Sequence, residues 1–120
     1  MLKKIYRLKE RQVKKVLKNS KPFFSYNIVL NTRPNREKFN RFAIIIWAKS
    51  VKDNISRNFF RRRFYDFIYN SPLYGSFWDI WKNYDFVFVV KKKTKLDKKD
   101  KNTILNFKKD LSFLEKKFNN

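Results

Sequence analysis

The sequence predicts an α+β fold, with the elements in the order helix, strand, strand, basic helix, strand, helix. Three observations carry this. Apolar residues recur at helical spacing in three separate stretches. Two short runs, "FAIIIWA" and "YDFVFVV", are apolar throughout and rich in β-formers. A third stretch, "FFSYNIVLN", alternates with period two. No segment repeats, and 120 residues are most simply one domain, spanning 1–120.

In order, a basic arm carries Lys3, Lys4, Arg7, Lys9 and Arg11. Val13, Val16 and Leu17 then place an apolar stripe on a short helix, with Lys14, Lys15 and Lys18 between them and Pro22 ending it. The alternation that follows predicts one half-buried strand, with Phe24, Tyr26, Ile28 and Leu30 on one side and Ser25, Asn27 and Asn31 on the other. The polar stretch from Asn31 to Asn40 contains Pro34 and reads as a connection. Phe42 to Ala48 is a strand covered on both faces. After the basic loop "KSVKDN", Asn54 or Ser56 is the expected cap of the next helix.

On that helix Phe60, Phe64, Phe67 and Ile68 form the core-facing stripe. Asn58, Arg61, Arg62, Tyr65 and Tyr69 share another arc, Arg57 borders the stripe, and Arg63 lies on the far flank. Pro72 and Gly75 stop the helix, and "LYGSFWDIWKN" is an aromatic connection without an assigned element. Tyr84 to Val90 is the last strand. The run "KKKTKLDKKDK" reads as a solvated loop, and Ile104, Phe107, Leu111, Leu114 and Phe118 define a closing amphipathic helix.

Composition restricts the function. Thirty-one Lys and Arg against ten Asp and Glu leave a formal charge of +21, whose self-repulsion an anionic partner would offset. Disordered basic chains are poor in aromatics, whereas 19% of this one is Phe, Trp or Tyr, so the chain is expected to fold. With no Cys and no His there is no thiolate nucleophile, imidazole base or usual zinc site, and a single glycine cannot form a phosphate-cradling loop. No apolar run approaches the roughly 20 residues that span a bilayer, and the start lacks the apolar core of a secretory signal. No membrane association and a cytoplasmic location are the resulting expectations.

The stretch "ISRNFFRRRFYDFI" concentrates the chemistry. Asp66, four residues after Arg62, is its only acid, and Asn58 and Arg61 have no carboxylate three or four residues away to neutralise them. Guanidinium forks and an amide beside them suit phosphate oxygens, so the pattern favours nucleic-acid binding over a plain solvated face. Tyr26, Tyr65 and Tyr69 are candidates to stack on unpaired bases; the alternative for each is core or boundary packing.

"SRNFFRRRFYDF" resembles the arginine-rich RNR motif of the protein subunit of bacterial ribonuclease P, Arg-Asn-x-x-Lys-Arg-Arg-x-Arg on a helix after a Lys-rich loop. Arg57, Asn58, Arg61, Arg62 and Arg63 match it or replace Lys conservatively. The resemblance continues through "MLKKIYRLK", "IVLN", "RFAIIIWAKS" and "DFVFVVKK". Phe59 stands where a second arginine is common, and Tyr65 replaces the motif's last arginine. Ser50, Lys52 and Asp53 stand where the family has Lys, Gly and Lys.

The resemblance implies a small two-layer sandwich of a mixed sheet with three helices, of the type of the second domain of a small-subunit ribosomal protein, with a left-handed βαβ crossover. It implies an accessory subunit of an endoribonuclease in which the RNA subunit, with Mg²⁺ bound mainly by that RNA, hydrolyses the 5′ leader from precursor tRNA. Ribonuclease P RNA and precursor tRNA are the implied partners, with no obligatory protein partner. The implied RNA contacts are Arg57, Asn58, Arg61, Arg62, Arg63, Lys49, Lys52 and Tyr65. A leader cleft between the first helix and the sheet is implied, with Val13 and Leu17 at the family's aromatic positions and Lys14, Tyr26 and Asn27 as further lining. The alternative is a structural RNA-binding protein of ribosomal type without processing activity; a third reading is adhesion to anionic membrane through the basic helices.

Overall fold

The computed structural model describes residues 2–51, 53–75 and 83–119. Three α-helices, α1 (Glu10–Lys18), α2 (Asn54–Tyr69) and α3 (Lys101–Asn119), accompany four strands, β1 (Lys21–Phe24), β2 (Ile28–Pro34), β3 (Arg41–Ile45) and β4 (Tyr84–Val90). The sheet is mixed, in the order β1-β2-β4-β3; β3 and β4 are parallel neighbours joined through α2, and the other pairs are antiparallel. This is the α+β architecture the sequence predicts. The aromatic connection is described as far as a 3₁₀ turn, Pro72–Gly75, and the rest of it lies outside the described residues.

Strand parity assigns the two faces. Leu30, Phe42, Ile44, Phe86, Phe88 and Val90 form one buried cluster with Phe60, Phe64 and Ile68 of α2 and Phe107, Leu111 and Leu114 of α3. Val87 and Ala43 point the other way and close a smaller cluster with Val16 of α1. β4 is therefore central and covered on both sides, which explains its unbroken apolar run. Fully burying each aliphatic or Phe side chain contributes roughly 1.5–3 kcal/mol, so the larger cluster dominates the stability of the fold.

Three local expectations are corrected. "FFSYNIVLN" is not one strand but a hairpin, in which β1 pairs with β2 as Phe23↔Leu30 and Phe24↔Val29 and Ser25 to Asn27 make the turn. Phe23 thus faces the main core, against Phe118, while Phe24 is left 55% exposed. The polar connection likewise starts later, because β2 continues to Pro34. The N-terminal arm is not free: Leu2 is 2% exposed, Tyr6 packs edge-on against Phe39 and Tyr74, and Leu8 N–H donates to the Phe42 carbonyl at 2.8 Å. The arm so covers the open edge of β3.

The cap of α2 is Asp53, not Asn54 or Ser56. Its Oδ1 accepts from the Ser56 N–H at 2.7 Å and its Oδ2 from the Ser56 hydroxyl at 3.2 Å. The backbone bond from Ser56 is the main cause holding the Asp53 carboxyl below its ordinary 3.8. Because the folded pKa is depressed, the contribution is present above the unfolded value and is lost as pH falls through the folded one. The stability gap between wild type and Asp53→Ala in urea unfolding is therefore expected to hold from neutral pH to about 5 and to narrow below about 4. A gap independent of pH would refute the capping role of the charge.

At the opposite end of the sheet, Asp85 accepts a fork from Arg41, Nε at 2.8 Å and a second nitrogen at 2.9 Å, and the Asn35 amide at 2.9 Å. Buried Asn40 donates to the Leu73 carbonyl and accepts from Tyr84 N–H. These bonds tie the long β2–β3 connection to β4. They also keep the start of β4 in register beside β3.

Candidate nucleic-acid interface

The core stripe of α2 directs its other side chains outward. Asn58, Arg62 and Arg63 are exposed, and Arg57 and Arg61 are half-buried. Arg57 donates to Asn54 Oδ1 at 3.0 Å and Arg61 to Asn58 Oδ1 at 3.2 Å, so neutral amides rather than carboxylates orient the guanidinium groups. Arg63 lies over the Phe59 ring at 4.9 Å. Among the described residues the ion pairs are Lys14 with Glu10 at 3.5 Å and Arg41 with Asp85 at 2.8 Å, and neither touches this face. Arg57 Nε is buried without a hydrogen-bond partner.

Tyr65 does not belong to this outward arc. It is 7% exposed, edge-on to Phe64 at 5.1 Å, within the main core cluster. Burial pushes its phenol above the ordinary 10.0, opposed by the charges of Arg7 and Arg61. Its ring is not open to stack on a base. Tyr65→Phe is accordingly expected to bind RNA indistinguishably from wild type in a filter-binding titration; a weakened complex would return Tyr65 to the interface. Tyr69, by contrast, is 55% exposed and tilted against Tyr74.

The charge near Tyr65 identifies a residue the sequence reading treated only as part of an arm. Arg7 is half-buried, its Nε has no partner, and the chain there bridges Phe42 of β3. A third basic group lies beyond the parallel ends of β3 and β4, where the loop after β3 meets the loop after β4. Leu96 N–H donates to the Ser50 carbonyl at 2.8 Å, Lys95 Nζ to the Lys49 carbonyl at 2.9 Å, and Lys92 sits over Trp47 at 4.9 Å. Lys49 is exposed there, beside the N-terminal end of α2, whose dipole also favours anions. The run after β4 is thus part of this basic end of the sheet. Lys52 lies outside the described residues.

The residues expected to line a cleft separate into two places. Val13 is half-buried against the cluster of Val16, Ala43 and Val87; Leu17 is 43% exposed, and Lys14 is exposed. Register places Phe24, Val29 and Asn31 on the same sheet face as Val87 and Val89, beside α1. Sequence reasoning did not group these three with α1. Tyr26 and Asn27 sit elsewhere, in the β1–β2 turn, lining a groove with the loop after β4 and with α3.

Among the described residues no three His, Cys, Asp or Glu side chains gather to hold a metal ion, and no helix is long and apolar enough to cross a membrane.

A small α+β protein with an unneutralised arginine helix and a second cation cluster at the sheet end belongs to the RNA-binding class. Comparison makes this specific: the family model Ribonuclease P matches residues 2–112, and the chain belongs to that family. The fold is similar to that of the RNase P protein of Staphylococcus aureus, solved at 2.0 angstrom, with 18% identity, 92% of this chain and 93% of that one covered, and a TM-score of 0.70. A mutant of the same protein with defective mRNA degradation activity gives 19% identity, coverage of 94% and 87%, and a TM-score of 0.70. The RNase P protein from Thermotoga maritima gives 19%, coverage of 92% and 96%, and 0.67. No curated protein matches in sequence. The chain is a protein subunit of ribonuclease P type, an RNA-binding protein of tRNA processing that associates with ribonuclease P RNA.

Proposed function

We propose that the protein holds ribonuclease P RNA on the outward face of α2 and guides the 5′ leader of precursor tRNA along the cleft between α1 and the sheet, while the RNA performs the hydrolysis. The observation that carries this reading is the set Arg57, Arg61, Arg62 and Arg63, which no described carboxylate neutralises. Lys49 extends the set along the loop before α2, and Asn58 orients Arg61. Val13, Leu17, Val29 and Phe24 supply apolar surface for unstacked bases, with Lys14 and Asn31 as polar partners.

Mg²⁺, when bound mainly by the RNA, would supply the activated water and stabilise the leaving oxygen. The part left to this chain is electrostatic. Arginines between crowded phosphates lower the repulsion that otherwise demands more divalent cation. The expected result is that adding the protein to a matching ribonuclease P RNA at low Mg²⁺ raises the rate of precursor-tRNA cleavage. No gain would favour a structural RNA-binding protein of ribosomal type.

The interface also sets a salt dependence. If about six phosphates are contacted, affinity for the RNA is expected to drop roughly 1,000-fold or more between 50 and 200 mM salt. Equilibrium binding across that range checks this, and a salt-insensitive complex would contradict it.

A further inference from the structure

The groove at the β1–β2 turn lies apart from the α2 face and the α1 cleft, and shares Lys95 and Leu96 with the basic end of the sheet. Its floor is Ile28, Val90, Leu96 and Phe107, all members of the main core, so it opens on the side of the sheet that carries α3 rather than on the α1 cleft. From these observations we propose that it is a second RNA site, holding one unpaired nucleotide of a bound strand with Tyr26 as the stacking platform and Lys93 as the phosphate contact.

Tyr26 is 87% exposed, more than any other large apolar or aromatic side chain of the described residues. Exposure at a loose turn would mean little, but this turn is fastened from several directions. Ser25 donates from its hydroxyl to Asp110 Oδ1 of α3 at 3.0 Å, and Lys91 Nζ donates to the Ser25 carbonyl at 3.0 Å. The Asn27 carbonyl accepts from Lys91 N–H at 2.9 Å, and Asn27 Oδ1 accepts from the Thr94 hydroxyl at 3.2 Å. An aromatic ring held in water on a rigid support is already ordered for stacking, so a base can add its contact energy without the cost of ordering the turn.

The surroundings select an anion that carries a flat face. Lys91, Lys93 and Lys95 line the groove and no acid does. Lys91 and Lys95 spend their ammonium groups on the Ser25 and Lys49 carbonyls, which leaves the exposed Lys93 for an outside partner. Asn106, exposed on α3, offers an amide donor and acceptor at the other wall. The cavity, about 410 Å³, is within the range of small-ligand sites and far below that of a docked helix. An acidic peptide would satisfy the lysines but would have no use for the ring.

The test uses the full chain and a short single-stranded oligoribonucleotide bearing 4-thiouridine. Photocrosslinks are expected at Tyr26 and in the segment of Lys91 to Lys95. In anisotropy titrations Tyr26→Ala is expected to weaken oligonucleotide binding roughly 5- to 100-fold while Tyr26→Phe restores it, because stacking needs the ring and not the hydroxyl. Lys93→Gln is expected to lower the salt slope by about one. Thermal melting should leave all three variants unchanged, since the altered side chains are exposed. Crosslinks confined to α1 and α2, a Tyr26→Ala variant that binds as wild type, or displacement by polyglutamate with no difference between Ala and Phe would each overturn the proposal. None of these outcomes bears on stimulation of cleavage at low Mg²⁺, so this site and the proposed function fail independently.

Discussion

Changing Arg57, Arg61 and Arg62 together to alanine is expected to weaken the complex with ribonuclease P RNA by about 1,000-fold or more while leaving the fold intact. Hydrogen bonds to charged groups contribute about 1.5–3 kcal/mol each, so loss of three such contacts amounts to several powers of ten even if they are not fully additive. The salt slope should flatten by about three, one for each phosphate no longer neutralised. Stability should change little, because Arg57 and Arg61 are held by side-chain amides of α2 itself and Arg62 is exposed. Arg57 illustrates the point: its buried Nε has no partner in the free protein, so truncation removes an unsatisfied donor rather than a bond. Binding titrations at several salt concentrations, with circular dichroism melting alongside, check both halves. An unchanged affinity with a lowered melting temperature would show that the arginines serve the fold instead.

Phe64→Ala should do the opposite. Phe64 is fully buried, edge-on to Phe88 of β4 at 5.0 Å and to Tyr65 at 5.1 Å, and it sits where α2 meets the sheet. Removing the ring loses its transfer energy and leaves a cavity that rigid aromatic neighbours cannot fill, a cost of roughly 3–5 kcal/mol. Chemical denaturation should show this as a lower midpoint at nearly unchanged slope. Whatever fraction remains folded should bind RNA normally, since the arginine face is untouched. A melting curve close to wild type would mean that α2 does not seat this ring in the core.

The α2 helix shows how far a linear pattern reaches. Phe60, Phe64 and Ile68 fall on one stripe by spacing alone, and the structure buries all three completely. The outward arginines follow from the same period. Tyr65 was placed on the outward arc because a helical wheel knows only angles. The cluster that buries it includes Leu2 and Tyr6, more than fifty positions away in the chain, and nothing local announces that the N-terminal arm folds back.

The hairpin was hidden for a related reason. Phe24, Tyr26, Ile28 and Leu30 keep period two across the turn, so alternation cannot tell a single strand from two short ones. The turn is held by Asp110 and Thr94, through bonds of sequence separation 85 and 67. The Asp53 cap was missed by a single position, within the ordinary uncertainty of helix ends.

By itself the sequence determined the α+β class, the main core stripes of α2 and α3, and the outward arginine surface of α2. These depend on periodicity and charge, which are local and survive any packing. Only the tertiary structure decided that Tyr65 is interior, that Tyr26 leaves the α1 cleft for a groove of its own, and that Phe24, Val29 and Asn31 face α1. Those outcomes depend on strand register and on contacts between distant segments, where burial and hydrogen bonding are shared by residues that no local pattern links.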